Sequence, residues 1–144
     1  MKHGRVLLAD GHLGVLGGVH SLLDALFDSV LMVADERSLI DAVKAFAPDL
    51  VVVDLSLPGS EEANVARRLK DQFPELRIVV LSVHDEATVV RQVLQAAAAF
   101  VLKRTVATDL VPAVEEVLRG GAYVSPSLRP RLADTDPAGD KRSP

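Results

Sequence analysis

The chain has 144 residues, of which 49% are hydrophobic and 25% charged, with a formal net charge of −4 and no cysteine. This length suits one domain with a core of useful size. The acidic balance provides no basic surface for nucleic acid, and the lack of cysteine excludes disulfides and thiolate chemistry. Residues 1–5 run into an apolar segment without a signal peptide, and no apolar run could span a membrane, so we expect a cytoplasmic protein.

Four short apolar runs each end at a polar residue. The most informative is 50–53, because three consecutive valines cannot alternate between a buried and an exposed face and therefore predict a strand buried on both sides. A carboxylate is costly to bury without partners, so the Asp54 that follows this run suggests a function. The runs and their polar ends are 5–9 before Asp10, 50–53 before Asp54, 77–81 before Ser82 and 100–102 before Lys103.

Helical patterns fill the gaps between the strands, and a further short strand is predicted at 29–34. Apolar residues recur at helical spacing within 16–27, 39–46, 65–73, 89–94 and 110–118. Pro112 lies inside the last pattern, which predicts a helix that begins near Thr108 or Asp109 and keeps the proline in its first turn. The alternation of strand and helix predicts a doubly wound parallel sheet with helices on both faces.

The carboxyl ends of parallel strands meet at one edge, where open α/β sheets bind ligands. We therefore expect Asp10, Asp54, Ser82 and Lys103 to lie together in the folded chain. The character of the sequence changes after residue 124, because 125–144 holds four of the eight prolines and no apolar period. We predict one domain over 1–124 and a flexible tail or truncated linker over 125–144.

With these elements in this order, roughly residues 4–124 resemble a bacterial two-component response-regulator receiver domain. The resemblance implies a flavodoxin-like sheet of five strands in the order 2-1-3-4-5 with five helices. The nearest subclass carries a C-terminal LuxR-type helix-turn-helix for transcription regulation, which these 144 residues lack. The matching motifs are Leu-Ala-Asp-Gly-His at 8–12, Asp-Leu-Ser-Leu-Pro-Gly at 54–59, Val-Leu-Lys-Arg at 101–104 and Gly-Gly-Ala-Tyr-Val-Ser-Pro at 120–126.

The resemblance implies a phosphoacceptor site rather than an enzyme active site. Asp54 would accept a phosphoryl group from a sensor histidine kinase, with at most slow autodephosphorylation. Asp10, Asp54 and the backbone carbonyl of Ser56 would bind Mg²⁺, which prefers a few carboxylates together with waters and phosphate oxygens.

Three further residues receive roles from the same resemblance. Lys103 would pair with Asp54 and then with the phosphoryl oxygens, and Ser82 would donate a hydrogen bond from its hydroxyl to the phosphoryl group. Phe100 would turn together with Ser82 as the second switch residue.

By the same resemblance, a homodimer would use either the fourth helix, fifth strand and fifth helix or the first and fifth helices. If the resemblance is set aside, the simplest interpretation of Ser82 is a strand-end cap, that of Phe100 is a core residue and that of Lys103 is a solvated charge.

The sequence departs from the family where the first strand ends. The family has two adjacent acids there, and the second, which lies nearest the metal, is replaced by Gly11. Loss of a unit charge about 4 Å from a divalent ion removes roughly 4 kcal/mol or more of gross attraction at an effective dielectric near 20. Solvation and an extra water ligand on the ion should return most of this attraction. The remaining net loss of roughly 1–3 kcal/mol corresponds to about 10- to 100-fold weaker Mg²⁺ binding.

Four functions stay open. The first is a signalling domain gated by phosphorylation of Asp54, and the second is a phosphorylation-independent interaction module of the same fold. The third is the regulatory half of a regulator that would bind DNA only through a downstream domain outside this chain. A small hydrolase is the weakest alternative, because no histidine stands at a strand end to act as a base.

Overall fold

A computed structural model describes residues 2–11, 17–57 and 65–134. Its sheet has six strands within these ranges, all paired in parallel, in the order β2-β1-β3-β4-β5-β6. The first five follow the predicted order 2-1-3-4-5. The strands are β1 His3–Ala9, β2 Phe27–Val33, β3 Leu50–Asp54, β4 Ile78–Ser82, β5 Ala99–Leu102 and β6 Tyr123–Val124.

Six α-helices connect or follow the strands in the described part of the chain. None of them is long and apolar enough to cross a membrane. A 3₁₀ turn at Lys103–Thr105 leads from β5 into the fifth helix, and a second one at Pro126–Leu128 precedes the sixth. The helices are α1 Gly17–Leu26, α2 Glu36–Phe46, α3 Val65–Gln72, α4 Ala87–Leu94, α5 Val106–Leu118 and α6 Arg129–Asp134.

The core consists of two apolar layers, one on each face of the sheet. Val51 and Val53 point into the layer formed with α2, α3 and α4, whereas Val52 points into the layer formed with α1 and α5. Every residue of β3 and β4 is buried. The prediction of a central strand buried on both faces is confirmed, since apolar residues on both sides are the condition for a parallel sheet covered by two helical layers.

The expected count of five strands and five helices is wrong, because the structure adds β6 and α6. The two residues of β6 pair with Ala99 and Phe100. Leu128 is buried and Leu132 packs against the same core layer as α4. Elements this short show no hydrophobic period, so tertiary contacts rather than a sequence pattern determine them. Residues 125–134 therefore form ordered structure at the start of the segment for which we expected a flexible tail.

The α6 helix is fastened to α4 and to the loop before it. Arg91 in α4 donates a hydrogen bond to the carbonyl of Leu132 at 3.0 Å. Arg131 lies 3.0 Å from the carboxylate of Asp85 and also donates to its backbone carbonyl at 3.0 Å. These contacts explain how a six-residue helix, too short to be stable alone, keeps its place.

Two predicted boundaries were wrong. The second strand begins at Phe27, which had been counted as part of the first helical face, because a buried phenylalanine satisfies either pattern. The fifth helix begins at Val106 rather than near Thr108 or Asp109, so Pro112 lies in its interior. Pro112 cannot donate to the Thr108 carbonyl. Both residues are exposed, so water can satisfy that carbonyl.

Ala47 ends α2 in the left-handed conformation, with φ 50° and ψ 61°, and its N–H donates to the Val43 carbonyl at 3.1 Å. This conformation disfavours any side chain with a Cβ. We expect Ala47→Gly to stabilise the protein by about 0.5–1 kcal/mol, because relief of the steric cost exceeds the added entropy of the unfolded chain. Urea unfolding measures the change. Ala45→Gly, inside the same helix, is the control and should destabilise by about 1 kcal/mol; equal effects would contradict the argument.

Candidate functional site

The register of the sheet places the polar strand ends side by side. Ala9 is paired with Val53, so Asp10 and Asp54 follow paired residues on neighbouring strands. On the other side of β3, Asp54 is paired with Leu81, the residue before Ser82. Asp10, Asp54 and Ser82 are all buried, at 0%, 1% and 1% exposure. The carboxyl edge of the sheet thus holds two carboxyl groups and a hydroxyl that are withdrawn from bulk water.

The carboxylate of Asp54 is held from two directions. Its Oδ1 accepts hydrogen bonds from the backbone N–H and the hydroxyl of Ser56, both at 2.8 Å. Its Oδ2 forms an ion pair with the ammonium of Lys103, which follows β5. One oxygen is therefore fixed by its own loop, and the other faces a cation.

Ser82 and Phe100 are placed differently from each other. The Ser82 hydroxyl accepts a hydrogen bond from the backbone N–H of His84 at 2.9 Å and lies at the edge with Asp54. Phe100 is fully buried in the core layer on the α4 side, and it is paired with Val80 two residues before the strand end. The structure therefore brings Asp10, Asp54, Ser82 and Lys103 together, whereas Phe100 belongs to the core beneath them.

A polar cluster behind Lys103 was missed by the sequence analysis. Asp109, in the first turn of α5, is almost completely buried and accepts hydrogen bonds from the hydroxyls of Ser125 at 2.7 Å and Thr105 at 2.6 Å. Burial and the nearby Asp109 carboxylate raise the pKa of Tyr123, whose hydroxyl faces the same group. The available signal was an acid in the first turn of a helix, which is ordinarily read as a helix-dipole residue.

The oxygen donors at the edge are of the kind that Mg²⁺ prefers: two carboxylates and a backbone carbonyl at Ser56. The described residues contain no cluster of three or more His, Cys, Asp or Glu side chains suited to a metal. Gly11, which follows Asp10, is exposed and supplies no carboxylate. The donor set suits a hard cation in type, although the residue after Asp10 adds no acid to it. His12 and the Pro58–Gly59 end of the second motif lie outside the described residues.

A doubly wound parallel sheet with two acids, a hydroxyl and a lysine at its carboxyl edge defines the class of flavodoxin-like regulatory domains. A family model described as response regulator receiver domain matches residues 6–115. The chain belongs to this family, whose members are receiver domains of two-component systems.

Two curated relatives and two solved structures illustrate the similarity. NarL, a probable transcriptional regulatory protein of Mycobacterium tuberculosis, is 35% identical over 133 residues, which cover 90% of this chain and 61% of that protein. The transcriptional regulatory protein DegU of Brevibacillus brevis is 29% identical over 131 residues, which cover 89% of this chain and 56% of that one. The chain thus spans less than two thirds of each relative.

Among solved structures, the RcsB response regulator of Salmonella typhimurium superimposes with a TM-score of 0.86 at 28% identity, covering all of this chain and 74% of that one. The isolated receiver domain of RcsB from Salmonella enterica, in the presence of phosphomimetic BeF₃⁻, gives a TM-score of 0.82 at 27% identity. That comparison covers 91% of this chain and 99% of the RcsB domain.

The ion pair between Lys103 and Asp54 predicts a large effect of removing one partner. Lys103→Met leaves a buried carboxylate without its cation, and we expect a loss of about 2–3 kcal/mol, slightly below the usual range because Lys103 keeps some solvent contact. Adding Asp54→Asn removes the orphaned charge and should restore most of the loss. Urea unfolding measures both variants, with Lys44→Met, at an exposed position of α2, as control. If the double variant were as unstable as the single one, the buried charge would not be the cause.

Proposed function

We propose that this chain accepts a phosphoryl group on Asp54 from a sensor histidine kinase and responds by changing an output surface. The observation that carries the proposal is the arrangement of the Asp54 carboxylate, with Oδ1 bound by Ser56 and Oδ2 facing Lys103. A phosphoacceptor needs a fixed nucleophilic oxygen and a cation beside it, because phosphoryl transfer depends mainly on positioning and charge stabilisation.

The proposed step is an in-line displacement on phosphorus. An Asp54 carboxylate oxygen forms a bond to phosphorus as the P–N bond of the phosphohistidine breaks, and the leaving imidazole takes a proton from solvent. The Lys103 ammonium then neutralises phosphoryl oxygens in place of the carboxylate. The Ser82 hydroxyl donates to another of these oxygens, and its bond from the His84 N–H fixes its position at the strand end. Phe100 as a switch residue remains a proposal from the family.

Asp10, Asp54 and the carbonyl of Ser56 are the residues that would hold Mg²⁺. The ion would neutralise charge on the phosphoryl oxygens during transfer. Both carboxylates are buried, so a divalent cation would offset negative charge in a region that water screens poorly.

A second function is favoured by a specific observation. Lys103 already pairs with Asp54, and Gly11 brings no acid to the expected metal position, so the Asp54 carboxylate has a cationic partner without a metal. A receiver fold of this kind would serve as a phosphorylation-independent interaction module. The two functions differ in whether Asp54 reacts, which is measurable.

The partners that we propose for this chain are inferred from its relatives. Solved RcsB structures include dimers bound to DNA and a complex with promoter DNA. We infer that this chain would influence transcription through a DNA-binding domain of a longer protein, and that it works in the cytoplasm. A homodimer would follow twofold symmetry, through the surface of α4, β5 and α5 or that of α1 and α5.

Incubation with a small-molecule phosphodonor and Mg²⁺ tests the first function. We expect intact-mass spectrometry to show addition of one phosphoryl group, because Asp54 is the fixed carboxylate beside a cation, and Asp54→Asn should abolish it. Asp71→Asn, an exposed carboxylate on α3, is the matched control and should still be phosphorylated. An unmodified wild-type mass with donor and metal in excess would favour the interaction module.

Gly11→Asp tests the metal argument. The added carboxylate should tighten Mg²⁺ binding by about 10-fold or more, because it restores a charge close to the divalent ion. Calorimetric titration of Mg²⁺ measures both affinities, and Ala45→Asp, at the far end of α2, controls for net charge alone. Equal affinities in wild type and Gly11→Asp would mean that Gly11 does not occupy the metal position.

A further inference from the structure

The hydrogen-bonding pattern at the end of β5 is completed by a side chain. Its partner β6 is paired with Ala99 and Phe100, and the Ser125 N–H continues the pattern by donating to the Phe100 carbonyl at 3.0 Å. At the next position the backbone N–H of Leu102 donates to the Ser125 hydroxyl at 3.0 Å. A hydroxyl therefore takes the place of a strand carbonyl for the last residue before Lys103.

This hydroxyl has a fixed orientation. Ser125 is fully buried, and it donates to Asp109 Oδ2 while accepting from Leu102. Thr105, two residues after Lys103, donates to the same carboxylate oxygen. Leu102 and Thr105 flank Lys103 in the chain, so the Ser125–Asp109 pair holds the backbone on both sides of the lysine.

Helix capping does not account for the cluster. The N-cap residue of α5 is Thr105, whose side chain makes no capping bond to the helix backbone and donates to Asp109 instead. Oδ2 of Asp109 accepts hydrogen bonds from two hydroxyls rather than from the backbone N–H groups of the first turn. The buried carboxylate of Asp109 thus binds the segment around Lys103, directly through Thr105 and indirectly through Ser125.

We propose that Ser125 and Asp109 are positioning residues for Lys103, which hold its backbone so that the ammonium meets Asp54. The proposal deepens the phosphoacceptor function and rests on it only for its consequence in phosphoryl transfer. The Lys103–Asp54 contact itself is measurable without phosphate or metal. Because Ser125 follows β6 at the start of the exit segment, residues 125–134, the state of that segment and the placement of Lys103 are energetically linked.

The test measures how quickly the side-chain amine of Lys103, in its deprotonated form, takes an acetyl group from a limiting amount of the N-hydroxysuccinimide ester of acetic acid. N-hydroxysuccinimide is the leaving group, and peptide mass spectrometry is the readout. Ser125→Ala should speed acetylation of Lys103 by about threefold to tenfold, the factor expected when one buried hydrogen bond is lost from the closed arrangement. Lys70, whose ammonium donates to the Leu76 carbonyl away from the site, is the internal reference. Its rate should not change.

Two further variants separate positioning from general loosening. Asp109→Ala should behave like Ser125→Ala, whereas Asp109→Asn keeps an acceptor oxygen for the two hydroxyls and should stay near wild type. Ser127→Ala changes an exposed serine two residues further along and should have no effect. Equal acceleration at Lys70 and Lys103 in Ser125→Ala, or none at Lys103, would overturn the proposal.

The effect of the Lys103–Asp54 pair on the Ser125 hydrogen bond supplies a second measurement. Asp54→Asn removes the partner of Lys103, and by reciprocity of coupling it should speed hydrogen exchange of the Leu102 amide, which Ser125 protects. Exchange of the Val79 amide in β4 is the reference. Unchanged exchange at Leu102 would contradict the link. A wild-type protein that takes up no phosphoryl group but passes both measurements would refute the phosphoacceptor function and leave the positioning role intact.

Discussion

The burial of the Asp54 carboxylate is the constraint on which the rest of the structure depends. A buried charge is tolerated only with partners, and here Ser56 and Lys103 supply them from different parts of the chain. Lys103 directly follows β5 and Asp54 ends β3, with β4 between the two strands. Two strand spacings amount to about 10 Å, a gap that the long stem of lysine closes. The strand order and the register must both be correct for this contact to exist.

The intervening strand gives the site its third group. Ser82 ends β4, so its hydroxyl lies between the strands that carry the acid and the cation. Its position requires no dedicated loop. Three side chains of different chemistry meet because three consecutive strands of a parallel sheet end together, which is the general reason that ligands bind at this edge.

The sequence predicted those parts of the molecule that depend on local pattern. Three valines before Asp54 indicated a central strand, and the polar residues at four strand ends indicated the edge. It failed where tertiary contacts override the pattern. Pro112 is accommodated inside a helix at a position where the Thr108 carbonyl is exposed to water, and the two residues of β6 are too few to show a period. Ser125 and Asp109 have meaning only through each other, and they are 16 residues apart.

The docking of α6 on α4 has a consequence for association. Arg91 and Arg131 bind this short helix to one of the surfaces through which two copies would pair. A segment of the same chain has an effective concentration in roughly the millimolar range when its tether is short. A second copy that used α4 would thus compete with a helix that is tethered to the same chain, and dimerisation there would begin with displacement of α6.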